Sequence, residues 1–519
     1  MMEGLPMPRQ AGGLINIQYS PVFTIVGNKY HEFGTKSTLN HLGYKFCIGN
    51  LENLSSKEDA EEARIGEEQN IVWLELHWPW RRTESCVPND LEVLQGLQPH
   101  RNLQKLGIYE YASLSFPTWM MDLNNLLPNL VSVVLENCSK CEELPPLGLL
   151  PFLKVLKLEG FLALKRIGRE FFVGYSTSEL FFPCLEDLSI LHMENLEEWN
   201  EHISKSLSSH SSSNTSSSFP LLEKLKVISC PKLRIMQTRI SHLKELEIEY
   251  CTDEAINSLV ESNITSLTSV CIRECDKLVF LHSKMLEGNS IIDYLVVDEC
   301  SNFKGFNVDQ DSEEEEKKEN TTLRSLTLHS CPLISLPNIS RFNYLIELNL
   351  EDCGNYQESF PSSIENLPRL EILTIGPFSD ELDYFPFPAA NIIEETSGGV
   401  YFPSLVSLSV KGWYELNSLP DQIQYITSLQ FLSISSFDSL EVLPEWLGNM
   451  VSLMLLKLYR CDNLEYFPSK EQMLRLTSLR RLEIEGCPIL EEKFEEGGEE
   501  HYKISNIPGV YIERDLVFY

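Results

Sequence analysis

Cations are scarce in this 519-residue chain. Lys and Arg number 42 against 76 Asp and Glu, a net charge of −34. A surface that tracks phosphates needs basic stripes, so broad binding of DNA or RNA is not expected, nor is docking on an anionic membrane leaflet. No run approaches the roughly 18 consecutive apolar residues of a membrane span. The opening stretch MMEGLPMPRQAGGLINIQ lacks the apolar region of a secretory signal. Catalytic motifs are missing as well: there is no G-x-S-x-G elbow, no H-E-x-x-H, and no glycine-rich phosphate loop ending in Lys-Ser or Lys-Thr. The 11 histidines are scattered, with His77 and His329 on solvent-facing strand positions. An enzyme is not expected.

One pattern is abundant: L-x-x-L-x-L-x-x followed by Cys or a large apolar residue. It reads LQKLGIYEY from Leu103, LVSVVLENC from Leu130, LKELEIEYC from Leu243, LRSLTLHSC from Leu323, LQFLSISSF from Leu429, LMLLKLYRC from Leu453 and LRRLEIEGC from Leu479. IVWLELHWP from Ile71 is an upstream copy, and a weaker one surrounds Phe46 and Ile48. From residue 71 to residue 479 the copies recur about every 27 residues, within the leucine-rich-repeat range. In L-x-L, two apolar side chains share one strand face and the intervening residues share the other. One such strand cannot bury its face alone, but stacked copies make a parallel sheet with a continuous core behind it. The expected fold is therefore an α/β-type repeat solenoid, a leucine-rich-repeat horseshoe. Its parallel sheet lines the concave face; irregular loops and short helices line the convex face.

The boundaries follow the pattern. Residues 1–42 form a lead-in or cap, 43–487 hold about 16–17 irregular repeats, and 488–519 form a C-terminal cap or tail. Leu144, Leu336, Leu419 and Leu443 each precede a Pro, which stops a strand and turns the chain onto the outer face. Copy spacing varies, and the long intervals hold insertions. SKSLSSHSSSNTSSS (204–218) and DQDSEEEEKKE (309–319) are too polar to join a core and read as loops. The acidic run lacks calcium-loop spacing.

Nine cysteines (Cys138, Cys230, Cys251, Cys275, Cys300, Cys331, Cys353, Cys461, Cys487) occupy the last position of the repeat. Other copies place Phe, Met or Trp there, so the position reads as a small buried slot, with the thiol available as a weak donor to a strand-end carbonyl. Cys138 and Cys141 make a C-x-x-C without a second pair at zinc spacing, so no metal is expected.

Longer stretches carry a resemblance. LENLSSKEDAEEARIGEEQNIVWLELHW (51–78), GLQPHRNLQKLGIYEYASLSFPTWM (96–120), LPNLVSVVLENCSKCEELPPLGLLPFLKVLKLEG (127–160) and CPILEEKFEEGGEEHYKISNIPGVYIE (487–513) resemble the leucine-rich-repeat region of plant disease resistance proteins, the coiled-coil, nucleotide-binding, leucine-rich-repeat (NB-ARC-LRR) immune receptors. FTIVG (23–27) is similar to the family's lead-in to the repeats. The resemblance implies a cytoplasmic or nucleocytoplasmic sensor region that binds a pathogen effector or a guarded host protein and restrains a nucleotide-binding switch. The family's coiled coil, Walker A loop and MHD-like segment have no counterpart here, so the chain reads as truncated at its N-terminus. No residue of it is expected to bind the family's ADP or ATP.

The candidate partner-binding residues lie on the concave face: Lys411, Phe431, Ser435, Leu455, Lys457, Tyr459 and Arg481. Phe431 and Leu455 share one row of solvent-facing positions, and Ser435 and Tyr459 another; the cations add positive charge nearby. Exposed aromatic and aliphatic groups beside cations suit a protein-binding hot spot. The competing reading is that residues 488–519 cover them. Lys224 and Lys226 are expected beside Glu245 and Glu247. The alternative is a stand-alone scaffold such as a ubiquitin-ligase substrate adaptor, which would want an F-box-like helical segment and more regular repeats of about 26 residues, but residues 1–40 show neither helix caps nor helical periodicity. An extracellular receptor ectodomain would want a signal peptide, regular 24-residue repeats and paired capping cysteines, none of which the sequence shows.

Overall fold

The computed structural model describes residues 22–24, 44–80, 89–173, 181–200, 219–237, 240, 242–260, 264–282, 291–307, 322–334, 342–353, 364–378, 382–387, 401–494 and 498–513. The loops expected at 204–218 and 309–319, and Leu336, lie outside them. The chain divides into two units, residues 1–267 and 268–519.

The first unit holds strands β1 (Val22–Thr24), β2 (Tyr44–Gly49), β3 (Ile71–His77), β4 (Lys105–Tyr109), β5 (Ser132–Glu136), β6 (Val155–Glu159), β7 (Arg166–Ile167), β8 (Asp187–Leu191), β9 (Glu198–Asn200), β10 (Lys224–Cys230), β11 (Ile235–Gln237) and β12 (Glu245–Cys251). The second holds β13 (Ser269–Arg273), β14 (Phe280–His282), β15 (Tyr294–Asp298), β16 (Gly305–Asn307), β17 (Ser325–Cys331), β18 (Glu347–Cys353), β19 (Ile372–Ile375), β20 (Ser407–Lys411), β21 (Phe431–Ser435), β22 (Leu455–Tyr459), β23 (Arg481–Glu485) and β24 (Gly509–Glu513).

Each repeat contributes one strand, paired in parallel with the strands of its neighbours. In the first unit the order is β1, β2, β3, β4, β5, β6, β8, β10, β12. In the second it is β13, β15, then β17 through β24 in sequence. The register keeps like positions in line: Leu408, Leu432, Leu456 and Leu482 form one buried row, and Val410, Ile434, Leu458 and Ile484 another. Each unit is a leucine-rich-repeat solenoid with its parallel sheet on one side and short helices and turns on the other. A second, shorter parallel ladder (β7, β9, β11) follows the first, and β14 pairs with β16.

The strand ends on a left-handed residue. Glu110, Asn137, Ser229, Tyr250, Glu274, Glu299, Ser330, Asp352, Ser436 and Arg460 have φ between 50° and 62°, and Gly486 has φ 65°. Each stands immediately before the slot residue. That conformation reverses the chain, so that the next side chain (Tyr111, Cys138, Cys230 or Phe437, for example) drops back into the core, where each is buried. The Leu-Pro positions behave as expected: Pro420 and Pro444 cap the short helical turns Asp421–Tyr425 and Glu445–Asn449, which bury Ile423 and Leu447. The insertions carry aromatic clusters, as where Phe171, Phe172, Phe182, Phe219 and Trp199 pack together.

Side chains also staple one repeat to the preceding one. The residue before the first leucine donates to a backbone carbonyl of the previous repeat: Asn102 to Gln69 at 3.1 Å, Asn129 to Arg101 at 3.0 Å, and Ser428 to Leu405 at 2.7 Å. A second series lies farther along the repeat, from Asn195 to Leu162, Asn302 to Asp276 and Asn463 to Asp438, at 2.7–2.8 Å. These bonds satisfy carbonyls that the turns leave without a ladder partner.

Candidate protein-binding face

Alternation along β20 to β23 sets the geometry of the candidate face. With Leu432, Ile434, Leu456 and Leu458 committed to the core, the residues between them point the other way. Three rows result. The first runs Ile372, Ser407, Phe431, Leu455, Arg481, Gly509. The second runs Thr374, Ser409, Ser433, Lys457, Glu483, Tyr511, and the third begins with Lys411, Ser435, Tyr459 and Glu485. The structure thus brings all seven candidate residues onto one side of four adjacent strands.

Exposure marks a ridge. Phe431 and Ile372 are each 39% exposed, and Leu455 and Tyr459 are half-exposed. The described part of the C-terminal segment does not cover Phe431: Pro488–Lys493 and His501–Ile504 form helices, and β24 extends the sheet beside β23 in the same direction. Tyr511 is thereby added to the face, 55% exposed, with the Arg481 guanidinium 4.5 Å from its ring centre. Ile372 and Tyr511 were absent from the sequence reading. Alternation places Ile372 on the face, but in the copy LEILTIGPF from Leu370 the one aromatic, Phe378, is the buried last residue and none stands at a solvent-facing position, and β24 carries no L-x-L.

The charge differs from the sequence expectation. Lys411 Nζ lies 2.6 Å from Glu351 Oε1, Lys457 Nζ 3.3 Å from Glu485 Oε2, and Arg481 Nε 2.5 Å from Glu483 Oε1. Each cation of the cluster is matched by a carboxylate of the same face, so the ridge is apolar and locally neutral. Tyr459 lies between two cations, 5.7 Å from Lys457 and 5.2 Å from Arg460. An apolar ridge with paired charges asks a partner for shape and apolar area, with the ion pairs setting register.

In the first unit the same face is a charge ladder. Lys224–Glu245 and Lys226–Glu247 pair at 2.8 Å, as the repeat register predicts, and Lys157 bridges Glu136 and Glu159. These exposed pairs are screened by water and contribute little to stability. Gly107, although on the solvent-facing side of its strand by alternation, is buried beneath the Tyr109 ring, which stacks on His77 at 4.2 Å. His329 pairs with Asp298.

All nine slot cysteines are buried with free thiols. Most donate to the carbonyl two residues back, at the end of their own strand: Cys275 Sγ to Arg273 O at 3.2 Å, Cys331 to His329 at 3.3 Å, Cys300 to Asp298 at 3.4 Å; Cys353 donates instead to Leu328 of the neighbouring strand at 3.0 Å. Burial pushes Cys138 well above the usual thiol range; a neighbouring thiol and burial do the same for Cys251, Cys300 and Cys353. Such thiols are packing groups rather than nucleophiles. Among the described residues no helix is long and apolar enough to cross a membrane.

Comparison with known proteins agrees with the repeat. Residues 36–161 match the R13L1/DRL21 leucine-rich repeats, and residues 322–503 match a leucine-rich repeat region. Neither is an enzyme family. The disease resistance RPP13-like protein 1 of Arabidopsis thaliana is 27% identical over 63% of this chain and 30% of its own length. Disease resistance protein RGA2 of Solanum bulbocastanum is 28% identical over 51% of this chain and 26% of its own. The chain thus spans less than a third of either relative. Among solved structures, that of a TLR13–ssRNA13 complex superposes with a TM-score of 0.55 at 16% identity, covering 91% of this chain and 65% of that one, a likeness of fold alone. The chain is a leucine-rich-repeat protein, and its curated relatives are plant disease resistance proteins.

Proposed function

We propose that this chain is the recognition region of an intracellular plant immune receptor. It binds a pathogen effector or a guarded host protein on the face of β19 to β24, and in full-length relatives the repeats also restrain a nucleotide-binding switch. The observation that carries the reading is the apolar ridge of Ile372, Phe431 and Leu455. These residues are solvent-facing on strands whose cations are already paired, and a soluble solenoid does not need them there for folding. The names of the relatives supply the immune setting. The compartment that fits both is the cytoplasm, where thirteen described cysteines would remain reduced.

The test is a response assay in a full-length receptor carrying these repeats, with its matching effector. Phe431→Glu and Tyr459→Glu should each weaken partner binding by about 1–3 kcal/mol, roughly fivefold to 150-fold, and reduce the response accordingly. If both variants accumulate normally and respond at the wild-type level, the ridge is not the recognition surface.

A further inference from the structure

In the first unit, three metal-ligating side chains come together. Cys47 on β2 and Glu75 and His77 on β3 place a thiol sulfur, a carboxylate oxygen and an imidazole nitrogen within 4.8 Å of one another. The register is responsible: Cys47 is the cross-strand partner of Glu75, and His77 follows Glu75 by two residues on the same face. Phe46, Ile48, Leu74 and Leu76 occupy the opposite face and fix the strands against the core.

The surroundings shape a site rather than an open patch. Cys47 and Glu75 are buried and His77 is half-exposed, which leaves an approach from solvent past the imidazole. On the far flank of Glu75, the β4 partner is Gly107, and the Tyr109 ring lies over that glycine. The same ring stacks on His77 with an interplanar angle of 3° and holds the imidazole plane, leaving its Nε2 3.5 Å from Glu75 Oε2. On the near flank Lys45 Nζ sits 2.8 Å from Glu75 Oε1 and 4.1 Å from the centre of the Trp73 ring, so it has a second place to rest when the carboxylate is taken.

We propose that Cys47, Glu75 and His77 bind a zinc-class divalent cation that pins β2 to β3. A thiolate, an imidazole and a carboxylate match zinc's tetrahedral preference, with water as the fourth ligand. The sulfur donor disfavours calcium and magnesium, which take oxygen ligands. Tetrahedral coordination with bonds of about 2.0–2.3 Å needs the three donors to draw in slightly from their present separations. On binding, the Cys47 thiol releases its proton to solvent, the sulfur gains the metal bond, and the Lys45 ammonium moves off Glu75.

Cobalt(II) titration of the metal-stripped full chain tests this. One equivalent should produce a thiolate-to-cobalt charge-transfer band in the near ultraviolet, and zinc should displace it. Cys47→Ser should abolish the band. His77→Ala, at a half-exposed position that leaves the core untouched, should weaken binding at least about tenfold with an unchanged circular dichroism spectrum. The absence of a thiolate–cobalt band in the wild type overturns the proposal, leaving a Lys45–Glu75–His77 ion-pair network beside a bystander thiol. A band that survives in Cys47→Ser also overturns it, placing the ion on other cysteines such as Cys138 and Cys141.

Discussion

At the scale of single residues, the left-handed position that ends each strand is the feature the sequence conceals. Its occupants include Glu, Asn, His, Ser, Tyr, Asp, Arg and Gly, so no residue type marks it; the common element is φ near +50° to +70°. A non-glycine residue there carries a steric cost that glycine avoids. Glu299 is exposed at φ 51°, and Glu299→Gly should raise unfolding stability by about 0.5–1 kcal/mol, whereas Gly486→Ala at φ 65° should lower it by about 1 kcal/mol. Urea denaturation of the two variants checks both signs. The slot thiols make a second residue-scale prediction. Titrating native protein with a thiol reagent should label the half-exposed Cys184 and Cys271 first, and the nine slot cysteines only after denaturation. Rapid reaction at most of the nine would contradict the packing role assigned to them.

Elements show which parts of the repeat were legible. The leucines, the strand and the Leu-Pro turn follow from periodicity, because apolar burial dictates them. The asparagine and serine staples did not, since a polar residue before a leucine looks like any surface position until the preceding repeat's carbonyl is brought beside it. Asn302→Ala should cost about 0.5–1.5 kcal/mol in a thermal or chemical melt, the net worth of one hydrogen bond to the backbone. The candidate site divides the same way. Alternation placed Phe431, Leu455 and Tyr459 on the face, as found. The pairing of Lys411 with Glu351 spans 60 residues of sequence and skips the intervening strand β19, so no local pattern reveals that the cation is neutralised. Cys47 and Glu75 met only once β2 was paired with β3, because the repeat around Phe46 is too weak to fix its register from sequence.

For the molecule as a whole, the repeats supply stability and the insertions add length. Deleting 204–218 or 309–319 should leave the melting temperature nearly unchanged, since stretches of such polarity contribute no core and closing a shorter loop costs little. A cooperative loss of folding after either deletion would count against the loop assignment. Labour is divided within each strand: one face is core and the other faces solvent. A paired denaturation experiment on Phe431→Glu and Leu432→Glu measures that division directly. Phe431→Glu should unfold within about 0.5 kcal/mol of the wild type, as a surface change does. Leu432→Glu, fully buried in the wild type, should lose at least about 3 kcal/mol by placing an unpaired charge in the core. If Phe431→Glu is destabilised as severely as Leu432→Glu, that side chain belongs to the core or lies under another segment, and the ridge is not available to a partner.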